Sequence, residues 1–155
     1  MSLDVTANAS IPAERHAVWS YATEPTNDPQ WITGIRSAAW LTEPPLREGT
    51  RVERTASFLG RPIEYVLEVL EHEHGSRLRM KSIRAPFPMD VTYEFADAGG
   101  ETAVSIRVRG GPAGLKGLAD PVMAPMVRRS LRADLRNLRA RFESWRRSNS
   151  PSPTG

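Results

Sequence analysis

The chain contains no cysteine, which excludes disulfides, thiolate metal ligands and a cysteine nucleophile. It also lacks any apolar run near the twenty residues needed to cross a bilayer. Its first residues alternate instead of placing a basic segment before an apolar block, so no signal peptide is expected and the expected location is cytoplasmic. Aromatic residues make up 7% of the 155 residues. Those near the arginines do not interleave with them as nucleic-acid-stacking surfaces do, and no nucleic-acid motif is present. A glycine-rich phosphate loop is missing too, because Gly110-Gly111-Pro112-Ala113-Gly114 lacks the lysine that such a loop needs. No cofactor is therefore expected. Ser57, Ser82 and Ser105 have no nucleophile motif around them. Only three histidines occur, and His72 and His74 share one strand face beside a turn, with no third ligand at an informative spacing from them. A structural metal site normally needs four ligands, so exposed turn histidines and no metal are the expectation.

What is present reads as one globular domain, residues 1–147, with 39% hydrophobic and 25% charged residues, followed by a tail at 148–155 expected to be disordered. Leu3, Val5, Ala7 and Ala9 alternate with polar residues and predict a first strand. Two short helices follow, one over residues 13–22 and one starting at Asp28-Pro29, before Gly34 releases the chain into a strand at Ser37–Thr42. Four turns then set a meander. Leu59-Gly60 places Ala56 opposite Ile63, Arg54 opposite Tyr65 and Val52 opposite Leu67. The same register sets Arg51 against Glu68 on the other face. His74-Gly75 sets Val69 against Met80, and Ala85-Pro86 sets Met80 against Val91 and Leu78 against Tyr93. Gly99-Gly100 sets Phe95, Tyr93 and Val91 against Val104, Ile106 and Val108. All four turns agree on one apolar face, and a slip of one residue at any of them would turn it outward.

The last element predicted is a long helix from Asp120 to Arg147. Met123, Val127, Leu131, Leu135, Leu138, Phe142 and Trp145 recur at steps of four and three along one stripe. Asp120 before Pro121 supplies a start signal, and Pro125 is expected to bend the first turns. Arg129, Arg132, Arg136 and Glu143 occupy the other side. Residues 128–147 carry a local charge of +6 within a chain of +3, so the remainder is −3. Such a face is read first as a solvated one. A basic module for membranes or nucleic acid is the least favoured reading.

Strand, two short helices, six strands and a long helix, in that order, resemble the START/birch-pollen-allergen-like (SRPBCC) superfamily and its bacterial polyketide cyclase/dehydrase-like branch. The matching pieces are Ile11-Pro12-Ala13 with Val18-Trp19, the segment from Pro25 to Trp31, Pro45-Leu46-Arg47-Glu48-Gly49-Thr50-Arg51-Val52, and the closing helix from Asp120-Pro121 to Leu138. The resemblance implies an α+β helix-grip fold, in which a seven-stranded curved antiparallel sheet wraps a C-terminal helix and leaves a cavity for a small hydrophobic molecule. It implies a cavity more than a reaction.

Inner-face positions expected to line that cavity are Phe58, Tyr65, Met80, Met89, Tyr93, Val127 and Leu131, with Trp31 and Trp40 near its mouth. The same residues would equally suit a filled core. Arg54 interrupts the apolar face opposite Tyr65. As a pair they are the candidate catalytic residues, able to hold a ligand carbonyl or carboxylate or to stabilise an enolate. Alternatively Arg54 snorkels to water, or pairs with Glu71 or another carboxylate. The expected function is binding of a lipid or polyketide-like molecule, and the alternative is a polyketide cyclase, aromatase or dehydratase on the same cavity. Partners are expected to be limited to that ligand, with no nucleic acid and no stable membrane insertion. A homodimer is left open.

Overall fold

A computed structural model describes residues 3–58, 60–110 and 123–148, Phe58 by its backbone alone. Seven strands form one antiparallel curled sheet in the order β1-β7-β6-β5-β4-β3-β2. They are β1 (Leu3–Ile11), β2 (Ile35–Trp40), β3 (Arg51–Phe58), β4 (Arg61–Glu73), β5 (Arg77–Arg84), β6 (Met89–Ala98) and β7 (Glu101–Gly110). Between β1 and β2 lie α1 (Arg15–Ala22), a short 3-10 turn at Pro25–Asn27 and α2 (Asp28–Trp31), and α3 (Met123–Ser148) closes the chain. This is the helix-grip architecture, α+β. Asp120-Pro121 and the link at 111–117 lie outside the described residues, as does the tail from 149 onward. Ser148, expected in that tail, is the last residue of α3.

The expected pairings hold: Arg54 faces Tyr65, Val69 faces Met80, Leu78 faces Tyr93 and Phe95 faces Val104. One of them is reached by a route the sequence does not show. Glu73 pairs with Arg77 across a three-residue loop, and a bulge at Leu70 then restores the register to Val69 opposite Met80. A bulge inserts one unpaired residue and shifts the facing of the residues beyond it. Leu70 is therefore turned outward and His72 falls opposite inward-facing Leu78.

Burial reflects this pattern. Val5, Ala7, Leu67, Val69, Leu78, Phe95, Val104 and Ile106 from the sheet meet Leu131, Leu135, Leu138 and Phe142 of α3, with Trp19 and Trp31 from the short helices, in one core cluster. The stripe of α3 ends one step early. Trp145 is 41% exposed and packs edge-on against Tyr21 and Phe142 at 5.2 and 4.9 Å between ring centroids. Polar ties add direction to the apolar contact. Asn137 donates to the Trp31 carbonyl at 3.1 Å, and Arg139 donates to the Ser10 carbonyl at 2.8 Å. α1 is capped by Glu14, whose carboxylate accepts from the backbone N–H groups of His16 and Ala17.

Gly110 ends β7 with φ at +90°, and a Cβ there would lie 2.6 Å from the Pro88 carbonyl oxygen. Gly49 has a similar φ of +86° but nothing within 4 Å. Both positions charge an alanine the left-handed conformation, of order 1–3 kcal/mol, and only Gly110 adds a backbone clash. Urea denaturation should therefore show Gly110→Ala losing clearly more stability than Gly49→Ala. Equal losses would mean that β7 and the Pro88 segment separate freely.

Candidate functional site

Arg54 projects from β3 into the apolar interior and is 6% exposed. A cation so placed needs a partner, and α2 supplies one. Oδ2 of Asp28 accepts from Arg54 Nε at 2.9 Å and lies 2.8 Å from Nη2. Nη2 also donates to the Tyr93 hydroxyl at 3.3 Å. Nη1, and the hydroxyl of facing Tyr65, have no hydrogen-bond partner among the described residues. Glu71 is engaged elsewhere, with Arg77 and Arg79. In the sequence Asp28 reads as a helix start, but its side chain is 3% exposed and serves Arg54.

The electrostatics follow from burial. Desolvation raises the Asp28 carboxyl against the downward pull of Arg54. Burial disfavours the Arg54 cation, yet Asp28, Tyr93 and Tyr65 outweigh it and hold the guanidinium well above its ordinary value. Burial likewise pushes the Tyr93 phenol up to about 12, with Arg54 pulling the other way. Arg54 is a permanent cation and Tyr93 a neutral hydroxyl at any physiological pH.

A second buried carboxyl comes from α3. Asp134 is 4% exposed, and its Oδ1 accepts from the Thr33 N–H at 2.7 Å. Burial pushes it up to about 6, against the Thr33 hydrogen bonds and the charge of Arg54. Trp31 completes the group. Its ring lies 5.9 Å from that of Tyr93, and its Nε1 is a buried donor with no partner among the described residues. Among the described residues the interior thus holds a permanent cation, two carboxyls, two phenols and an unpaired indole N–H, surrounded by apolar side chains.

The other predicted positions divide. Tyr65, Met80, Tyr93 and Leu131 are buried in the common core, and Met89 and Val127 are partly buried against it. Trp31, expected at a mouth, is 1% exposed. Trp40 stands apart, donating Nε1 to Glu24 at 3.0 Å. With Trp19, Leu46, His72 and His74 it lines a separate groove of about 240 Å³. The side chain of Phe58 lies outside the description. Tertiary packing also brings the third histidine in, with His16 and His74 ring centroids 5.4 Å apart and His72 beyond at 6.2 Å. Among the described residues, no three histidine or carboxylate side chains are arranged to hold a metal ion.

A curled sheet gripping one helix around a buried polar cluster defines a class of protein, and the comparisons with known proteins agree with it. The chain belongs to the family described as polyketide cyclase / dehydrase and lipid transport, whose model matches residues 2–143. Its fold is that of TTHA0849 from Thermus thermophilus, with a TM-score of 0.76 at 19% identity over 95% of this chain and 99% of that one. Zhui aromatase/cyclase from Streptomyces sp. R1128 matches with a TM-score of 0.74 at 16% identity, over 100% of this chain and 99% of that one. A START superfamily protein from Mycobacterium smegmatis matches at 0.73 and 15% identity, over 92% and 98% of the two chains. At such identities the likeness is one of fold. No curated protein matches the chain in sequence.

Proposed function

We propose that this protein binds a small, largely apolar molecule between the sheet and α3, and that the Arg54 cluster is its polar anchor. The observation that carries the reading is the buried group Arg54, Asp28, Tyr93 and Tyr65, set in otherwise apolar walls. A protein that needed only a core would do as well with apolar residues there, since a buried ion pair adds little net stability. Arg54 Nη1 and the Tyr65 hydroxyl are the donors left for a ligand oxygen. A lipid or a polyketide-like compound meets that description, with apolar bulk for the walls and a carbonyl or carboxylate for the donors.

Asp134 favours a second reading, a cyclase, aromatase or dehydratase acting on the same ligand. A carboxyl raised to about 6 exists in both forms near neutral pH, as a group that moves protons must. Arg54 and Tyr65 would then orient a poly-ketone and stabilise the enolate formed on it. Asp134 would be the group that takes and returns the proton.

Native mass spectrometry of the protein from its own host, with extraction of any retained compound, tests both. Binding of the neutral dye Nile red, followed by fluorescence, serves as the controlled assay. Tyr65→Phe removes one hydrogen bond worth about 0.5–1.5 kcal/mol, so it should weaken retention by about two- to tenfold and leave the fold intact. A retained compound that changes chemically during incubation favours the enzyme. A protein that emerges empty and also ignores Nile red has a filled interior, and both readings fall.

A further inference from the structure

On the outer face of the sheet several arginines are paired with carboxylates: Arg51 with Glu68, Arg77 with Glu71 and Glu94, Arg79 with Asp90 and Arg107 with Asp4. On the outer side of α3, Arg128, Arg129, Arg132 and Arg136 have no carboxylate partner among the described residues. Both acidic residues of that helix are engaged elsewhere. Glu143 holds Arg139 at 2.6 Å, and Asp134 is turned inward to Thr33. The four arginines, with Pro125, line a concavity of about 330 Å³.

Their spacing is regular. Arg128, Arg132 and Arg136 follow at steps of four, which sets them about 6 Å apart along the helix axis, and Arg129 flanks Arg132 at a step of three. Like charges at these spacings repel and weaken the helix. On the same helix Glu143 offsets the charge of Arg139, and among the described residues no carboxylate does so for these four.

We propose that this concavity is a binding site for a phosphate-bearing anion. The planar guanidinium fork matches phosphate oxygens two at a time. A phosphate carries up to two charges and three strong acceptors, so one or two phosphates can satisfy all four cations where a single carboxylate cannot. Among the described residues the large exposed apolar ones are Leu41, Leu70, Ile83 and Trp145, none of them in this concavity. No acyl chain or aromatic base is recognised there, and recognition stops at the phosphate. The phosphate can come from a soluble compound or from a lipid headgroup, and the chemistry at the site is the same. The inference is independent of the interior ligand, since Leu131, Asp134 and Leu135 on the same turns face the other way.

The test uses the full chain, with pyrophosphate as the soluble probe and vesicles of phosphatidylglycerol against phosphatidylcholine as the surface probe. Calorimetric titrations, each at a fixed ionic strength, should show pyrophosphate binding that weakens from one to the next as salt is raised, as exposed charge interactions do. Arg132→Gln/Arg136→Gln should weaken it at least tenfold while Nile red binding stays unchanged. Flotation with phosphatidylglycerol vesicles alone, lost in the same variant, would assign the phosphate to a lipid headgroup. Binding of free pyrophosphate would assign it to a soluble compound. If the wild type ignores both pyrophosphate and phosphatidylglycerol, or if the variant binds them as well as the wild type, the proposal is overturned.

Discussion

Asp28→Ala should destabilise this domain by about 3–5 kcal/mol, because it leaves the Arg54 cation buried without its counter-charge. Both contacts to Asp28 Oδ2 are under 3 Å and the guanidinium side chain is 7% exposed, so water cannot replace the carboxylate without opening the interior. For a chain of this size each kcal/mol corresponds to about 2–4 °C in Tm, so a loss of about 6–20 °C is expected. The cause is separable from the loss of packing. Asp28→Leu/Arg54→Met removes both charges and keeps the volume, and exchanging a whole buried pair for apolar residues is often neutral. Thermal unfolding of the single and double variants should therefore show the double variant recovering most of the loss. A double variant as unstable as Asp28→Ala would mean that packing around α2, not charge, is what Asp28 supports.

Asp134 should make stability depend on pH between about 4 and 6. Its folded value of about 6 lies above the ordinary 3.8, so the folded protein binds this proton more tightly than the unfolded chain. The stabilisation is present in full below pH 4 and is lost as pH rises through 6. A displacement of this size is worth up to ~3 kcal/mol. Asp134→Asn keeps a carbonyl oxygen for the Thr33 N–H and carries no charge to bury. It should therefore be the more stable form at pH 7 to 8, by up to ~3 kcal/mol, with the difference closing toward pH 4. Asp90, held below its ordinary value by the Arg79 hydrogen bonds, acts in the opposite direction only at lower pH, and it is common to both proteins. Chemical denaturation across this range, taken as the difference between the two curves, isolates Asp134. Parallel curves from pH 4 to 7 would show that its carboxyl is solvated.

Much of the scaffold is legible in residue order. Turn chemistry and period-two alternation place Arg54 opposite Tyr65 and Leu78 opposite Tyr93, as observed, because both are short-range properties of the backbone. The bulge at Leu70 is not legible. A leucine in an alternating strand gives no sign that it will be left unpaired, and only the need to bring Val69 against Met80 puts it there. The candidate site was half visible. Arg54 stands out as a charge on an apolar face, whereas Asp28 beside Pro29 already had a sufficient explanation as a helix start. Asp134 did leave a sign. Val127, Leu131, Asp134 and Leu138 fall at steps of four, three and four, so a carboxylate occupies a place in the buried stripe.

By itself the sequence determined the order of the elements, the inner face of the sheet, the stripe of α3 and the excess of positive charge on that helix. Each is a matter of periodicity or count, carried by neighbouring residues. Only the tertiary structure decided that Asp28 meets Arg54 across 26 positions and that Asp134 meets Thr33 across 101. It decided too that Arg51, Arg77, Arg79 and Arg107 of the sheet find carboxylates while, among the described residues, those lining the α3 concavity do not. The reason is geometric. Which two charges come within 3 Å depends on the twist and curl of seven strands added together, and no local pattern contains that sum.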